Sequence, residues 1–295
     1  MFKGSATALV TPFKDGEVDY QDFKDLVDHQ ILNKTDALVV LGTTGETPTL
    51  TEDEKDQLVD CAIEVNQGRV PIIVGTGSNN TKAAIQATEK FSERAIDGVL
   101  VQTPYYNKTN KEGLYQHFKQ IADHSKVPVI LYNVPSRTGM TIPVSLVKRL
   151  ADIKNIRGLK DATGDLAYGL QVIANTPDDF YLYSGEDHLT TSLMAVGAQG
   201  VISVASNVAP KYIHDMTQAC LGNDFKTAGQ MQVKLTSLVK ALFNETNPIP
   251  VKKALSLLNL AGGGELRLPL TESSSGTDHL LEKALKELSL YDQNN

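Results

Sequence analysis

The sequence predicts an α/β protein, a (β/α)8 TIM barrel with a C-terminal helical appendage, on three observations. Eight short β-branched runs recur between residues 6 and 204. The stretches between them are polar and place apolar residues at three- and four-residue spacing, as helices packed on a sheet do. No Gly-x-Gly-x-x-Gly follows the first run, which counts against an open doubly wound sheet, the alternative architecture.

In order, the expected strands are Ala6–Val10, Ala37–Leu41, Pro71–Val74, Gly98–Gln102, Pro128–Tyr132, Ile156–Lys160, Phe180–Tyr183 and Gly200–Val204. The clearest helices between them are Asp19–Leu32, Glu52–Asn66, Thr81–Phe91, Lys111–His124 and Pro143–Ala151. After the eighth run the rhythm changes. From Pro210 to Tyr291 only helical pattern remains, interrupted at Asn247-Pro248-Ile249-Pro250 and Gly262-Gly263-Gly264. The first of these helices closes the barrel. The stretch from Asp224 onward has no evident linker before it, so the chain divides into a catalytic barrel over 1–223 and a helical extension over 224–295 rather than two independent domains.

Composition narrows the function. With 41% hydrophobic and 21% charged residues over 295 positions, the chain can bury a large core. Its 28 cationic side chains against 35 anionic ones give a net charge of -7. That balance offers no basic footprint for nucleic acid, and any anionic substrate has to be held by local groups. Two cysteines, Cys61 and Cys220, stand apart with no Cys/His cluster, which argues against disulfides and against a metal site. No window approaches the ~18 consecutive apolar residues of a membrane span, and no basic start precedes an apolar stretch at the N-terminus. A cytoplasmic protein is expected.

The site is expected where strands end. In Asn155-Ile156-Arg157-Gly158-Leu159-Lys160-Asp161, period-two alternation puts Ile156, Gly158 and Lys160 on one face. If that face is the interior, the Lys160 ammonium loses hydration, the neutral amine becomes a nucleophile toward a carbonyl, and Gly158 leaves room for a ligand. Taken alone, the segment reads more readily as a surface lysine just past a strand end. The other strand ends tip the balance. Gly42-Thr43-Thr44-Gly45-Glu46 follows the second strand, and its glycines, hydroxyls and successive N–H groups suit a nest for a carboxylate. The fifth strand ends in Tyr132-Asn133-Val134-Pro135-Ser136-Arg137-Thr138-Gly139, where alternation with Ile130 turns Tyr132 inward beside Lys160. A lysine and a tyrosine on neighbouring strands, with a carboxylate nest across the lumen, make a Schiff-base site. Arg137 reads either as a solvated loop residue or as a fork for a second carboxylate. Tyr105 and Tyr106 read as packing, Gly75-Thr76-Gly77 as a turn, His188 as structural, and Glu46 and Asp161 as acceptors that organise their loops.

The Gly42–Glu46, Tyr132–Gly139 and Gly158–Asp161 motifs resemble the signatures of the dihydrodipicolinate synthase family, within the pyruvate-dependent class I aldolases, and the resemblance runs over essentially the whole chain. The first and third motifs are shared with N-acetylneuraminate lyase and keto-deoxy sugar acid aldolases; Pro135-Ser136-Arg137-Thr138-Gly139 is the discriminating one. The resemblance implies a lyase of diaminopimelate and lysine biosynthesis that needs no cofactor and no metal, with pyruvate and L-aspartate-4-semialdehyde as substrates. It implies that Lys160 forms an imine with pyruvate and that Tyr132 relays protons through Thr43 and Tyr106, the latter from the neighbouring subunit of a homodimer. It further implies that Thr44 and Thr43 hold the pyruvate carboxylate, that Arg137 binds the semialdehyde carboxylate, and that Gly185 and Ile202 line the pocket through their backbones. Whether dimers pair into a homotetramer is left open. Members inhibited by L-lysine present a histidine and a glutamate to it where this chain has Lys55 and Ala83, so insensitivity to lysine is expected. A sugar-acid aldolase and a catalytically silent 2-oxo acid binding protein are the other readings.

Overall fold

The computed structural model describes residues 1–261 and 264–290. Gly262 and Gly263, expected to interrupt the helical tail, and residues 291–295 at its end lie outside them. Eight parallel strands form a closed barrel: β1 (Gly4–Ala8), β2 (Ala37–Val40), β3 (Ile72–Gly75), β4 (Gly98–Gln102), β5 (Val129–Asn133), β6 (Ile156–Asp161), β7 (Tyr181–Ser184) and β8 (Gly200–Ser203). Each pairs with its sequence neighbours and β8 closes on β1. All eight expected strands are present, with ends displaced by no more than two residues. Strands β1, β2, β5 and β8 are buried at every position, as expected of a parallel sheet covered on both faces.

The helices of the outer layer are α1 (Tyr20–Leu32), α2 (Glu52–Asn66), α3 (Thr81–Ser92), α4 (Lys111–Asp123), α5 (Val144–Ala151), α6 (Leu166–Asn175), α7 (Thr190–Ala195) and α8 (Pro210–Leu221). Their starts are written locally. Asp19, Asn80, Asn110 and Asp165 cap α1, α3, α4 and α6 by accepting backbone N–H bonds, and Thr51 with Glu54 forms a reciprocal capping box on α2. A two-stranded hairpin, Phe13–Lys14 with Glu17–Val18, lies outside the eight-strand pattern. Its Asp15-Gly16 turn has both φ angles positive, 52° and 82°, as a tight hairpin turn demands.

The barrel has two hydrophobic cores. The larger lies between strands and helices and includes Leu38, Val74, Val99, Leu131, Ile156 and Leu159. The smaller fills the lumen with Ala6, Val39, Leu100, Ile130, Tyr132, Tyr183 and Ile202. Phe2 stacks on Tyr183 with ring centres 4.3 Å apart and accepts a bond from its hydroxyl, so the N-terminal end of the lumen is plugged.

Ile156 belongs to the outer core and not to the lumen, contrary to the facing expected from strict alternation. The β5–β6 register pairs Val129 with Ile156 but Ile130 with Gly158, so Arg157 is an extra residue. This bulge reverses the facing of everything after it. Lys160 therefore shares the lumen with Gly158, while Ile156 points the opposite way.

After α8 come α9 (Phe225–Leu242), α10 (Ile249–Leu257) and α11 (Ser275–Glu287). Their buried residues, among them Leu235, Leu242, Leu255 and Leu281, join the same outer core as the barrel helices. No helix among the described residues is long and apolar enough to cross a membrane.

Candidate active site

Tyr132 and Lys160 stand opposite each other in the β5–β6 register, near the C-terminal ends of their strands. The Lys160 Nζ lies 4.2 Å from the centre of the Tyr132 ring. Both side chains are nearly closed off from solvent, at 6% and 7% exposure, so the amine has little water to compete with a bound carbonyl. What makes room for the lysine is Gly185, just beyond β7: a Cβ there would stand 3.1 Å from Lys160 Cε and 2.8 Å from Ala162 Cβ. Gly158 serves a different purpose from the one expected. Its open side is filled by the Tyr181 carbonyl, 2.7 Å from a notional Cβ, and by Met1, which leaves no room there for a ligand.

Across the lumen, Thr43–Gly45 form one tight helical turn after β2. Gly45 N–H donates to the Gly42 carbonyl, Glu46 N–H donates to that of Thr43, and Glu46 is left-handed at φ 52°. The Thr11 hydroxyl holds the Gly45 carbonyl at 2.7 Å, and Thr47 holds that of Gly42 at 2.9 Å. Thr44 is buried, and its hydroxyl accepts from Asn247 Nδ2 at 3.0 Å. With that lone pair occupied, the Thr44 proton is left to donate.

Arg137 lies on the helical turn Pro135–Thr138 beyond β5, exposed, with Nη2 donating to the Asn247 carbonyl at 2.8 Å. Asn247, which in the sequence reads only as part of a turn before α10, thus touches both the nest and the arginine. A cavity of about 670 Å3 is lined by Thr43, Tyr132 and Arg137 and also by Lys55, Ala83 and Lys90. Lys55 there is paired with Glu52 at 2.7 Å. Tyr106 is not among the lining residues. It is 92% exposed and left-handed at φ 68°. Ile202 is buried in the lumen, and the Gly185 N–H is committed to the Asp161 carbonyl at 2.7 Å.

Residues 1–288 match the model of the Dihydrodipicolinate synthetase family. The chain belongs to this family. It is 47% identical over 292 residues to the 4-hydroxy-tetrahydrodipicolinate synthase of Sulfurihydrogenibium sp., covering 98% of this chain and 99% of that one. Among solved structures, dihydrodipicolinate synthase from Thermotoga maritima superposes with a TM-score of 0.96 at 44% identity, covering 98% of this chain and 99% of that one. The chloride-inhibited dihydrodipicolinate synthase from Acinetobacter baumannii, solved in complex with pyruvate, gives 0.96 at 42% identity, covering 98% of this chain and 100% of that one.

Three carboxylates also lie near the lysine. Burial pushes Asp161 up to about 6, against the pull of its bonds from the Thr163 hydroxyl and N–H. Burial likewise raises Glu186, partly offset by His188 and Lys160. Asp187, fully enclosed, is also raised by burial while accepting from the Ser203 hydroxyl and the N–H groups of Val204 and Ala205. It braces the end of β8. His188 is half-exposed with Nδ1 3.5 Å from Glu186. Among the described residues no group of three or more His, Cys, Asp or Glu is arranged to hold a metal ion.

Proposed function

We propose that this chain condenses pyruvate with L-aspartate-4-semialdehyde to 4-hydroxy-tetrahydrodipicolinate through an imine on Lys160. The family and the synthases it resembles support the overall reaction, which leads toward diaminopimelate and lysine. The observation that carries the residue assignment is the buried Lys160 amine held against the Tyr132 ring.

The neutral Lys160 amine adds to C2 of pyruvate, and loss of water gives the protonated imine. That cation is an electron sink, so a methyl proton leaves and an enamine forms. The enamine carbon attacks the semialdehyde carbonyl carbon, and the new alkoxide takes up a proton. The semialdehyde's own amine then attacks C2, the C2–Nζ bond breaks, and Lys160 departs as the amine with the ring closed. Tyr132, working through Thr43 and Tyr106, moves the protons, a role of a kind that contributes ~10²–10⁴-fold. The Thr44 hydroxyl and the N–H groups of the nest hold the pyruvate carboxylate. Arg137, steadied by the Asn247 carbonyl, takes the semialdehyde carboxylate, and Gly185 and Ile202 shape the pocket wall.

A Tyr106 exposed on its own subunit is what a site shared across a homodimer requires, and we read the protein as at least dimeric. Residues 224–295 are read as an extension of the 1–223 barrel, since their helices share its core. Borohydride added with pyruvate should inactivate the enzyme and label the peptide carrying Lys160. Label on another lysine, or wild-type activity in Lys160→Ala, would refute the assignment.

A further inference from the structure

Lys252 and Glu46 form an ion pair at 2.7 Å with both side chains 1% exposed. Desolvating two charges costs several kcal/mol apiece, so such a pair adds little net stability and is better explained by the geometry it enforces. That geometry is specific. Lys252, on α10, also donates to the Thr11 carbonyl at 2.9 Å, and its ammonium lies 4.2 Å from the centre of the Phe13 ring. Thr11 in turn holds Gly45 through its hydroxyl. Glu46 is the left-handed residue that ends the Thr43–Gly45 turn, a backbone state unfavourable for glutamate unless its surroundings fix it. Its second carboxylate oxygen accepts the Arg267 N–H at 3.2 Å, while the Arg267 guanidinium grips Glu54 and the Thr49 and Gly16 carbonyls. Two segments of the C-terminal extension thus converge on one carboxylate at the rim of the nest.

We propose that the buried Lys252–Glu46 pair is a positioning device: it fixes the turn that carries Thr43 and Thr44, so that the C-terminal helices set how tightly the pyruvate carboxylate is held. The inference rests on the pyruvate–imine reading. Neither residue touches substrate. Both act through the aim of the Thr43 and Thr44 hydroxyls and N–H groups, whose geometry depends on a single left-handed residue staying where it is.

The test uses the full-length enzyme and the paired variant Glu46→Gln with Lys252→Met, which removes both charges and so strands neither in the core. The single variants Glu46→Gln and Lys252→Met are measured alongside. The expected result for the paired variant is a cooperative thermal transition near that of the wild type, with KM for pyruvate and the pyruvate concentration needed for half-maximal borohydride trapping both raised at least tenfold. KM for the semialdehyde should change less than threefold. Lys252→Arg on the wild-type background, which keeps a cation against Glu46, should retain most of the pyruvate affinity. A folded paired variant that traps pyruvate at wild-type concentrations overturns the proposal, as does an equal rise in both KM values. If instead the wild type itself fails to trap pyruvate on Lys160, the functional reading falls, whatever the variants do.

Discussion

Replacing Gly185 by alanine adds one methyl group where the structure leaves no space for it. The added Cβ would stand 2.8 Å from Ala162 Cβ, 3.0 Å from the Asp161 carbonyl oxygen and 3.1 Å from Lys160 Cε. Carbon atoms rest at about 3.5 Å or more, so the first contact is short by roughly 0.7 Å. Two of the three neighbours cannot easily give. Ala162 is pinned by its N–H bond to the Asn133 carbonyl at 2.9 Å, and the Asp161 carbonyl by its bond from Gly185 N–H at 2.7 Å. The movable neighbour is the lysine stem, and its displacement carries Nζ away from its place over Tyr132. Overpacking of this kind costs about 1–3 kcal/mol of stability, and a shift approaching 1 Å in a reacting group costs up to ~10²-fold in rate. We therefore expect Gly185→Ala to fold with a lowered melting temperature and to trap pyruvate with borohydride at saturation 10- to 100-fold more slowly. Gly229→Ala is the control, since a Cβ at that position on α9 meets nothing within 4 Å. Trapping and kcat within twofold of wild type would show that Gly185 does not govern where the amine sits.

Arg137→Ala should raise the semialdehyde KM by roughly 10- to 100-fold, through loss of a charge-assisted fork, while pyruvate trapping stays near wild type; an equal loss for pyruvate would put the arginine on the other substrate. Tyr106→Phe mixed with Lys160→Ala should regain activity once subunits exchange, because one hybrid site is then intact, and verified exchange without recovery would remove Tyr106 from the partner's site. Asp161 is raised in the folded state to about 6 from an ordinary 3.8, so the folded protein binds more protons between those values and loses stability as pH rises through them. Asp161→Asn should abolish that slope, gaining on the order of 2 kcal/mol relative to wild type at pH 7.5 compared with pH 4; a denaturation series with parallel pH profiles would contradict it. With Lys55 and Ala83 lining the cavity, L-lysine should leave initial rates unchanged, and saturable inhibition below about 1 mM would show attraction from groups other than these.

The strand rhythm and the lumen tyrosine are legible because facing along a strand follows from period two, and the Thr43–Thr44 turn because its glycines and hydroxyls are adjacent in the sequence. Lys160 is legible for a partly mistaken reason. The bulge at Arg157 reverses the facing between Ile156 and Lys160, and nothing in Ile156-Arg157-Gly158 distinguishes a bulged strand from a regular one. The lumenal Lys160 would equally follow from counting back from Ala162, which shares the inner core. Gly158 and Gly185 look alike in the sequence, yet the first faces Met1 and Tyr181 and the second faces the lysine.

What local pattern cannot carry is the set of contacts that close over the nest from the far end of the chain. Asn247 reaches Thr44 across 203 positions of sequence and Lys252 reaches Glu46 across 206. Both residues sit in a stretch whose apolar spacing explains only how its helices pack. A buried lysine in an amphipathic helix reads as a surface residue until its partner is known, and that partner is a glutamate in a turn that reads as complete without it. The consequence is physical: a short turn that ends on a left-handed glutamate needs that residue held in place. If that turn holds the pyruvate carboxylate as proposed, the distant helices that fix its glutamate supply part of the stiffness that preorganises it for an anion.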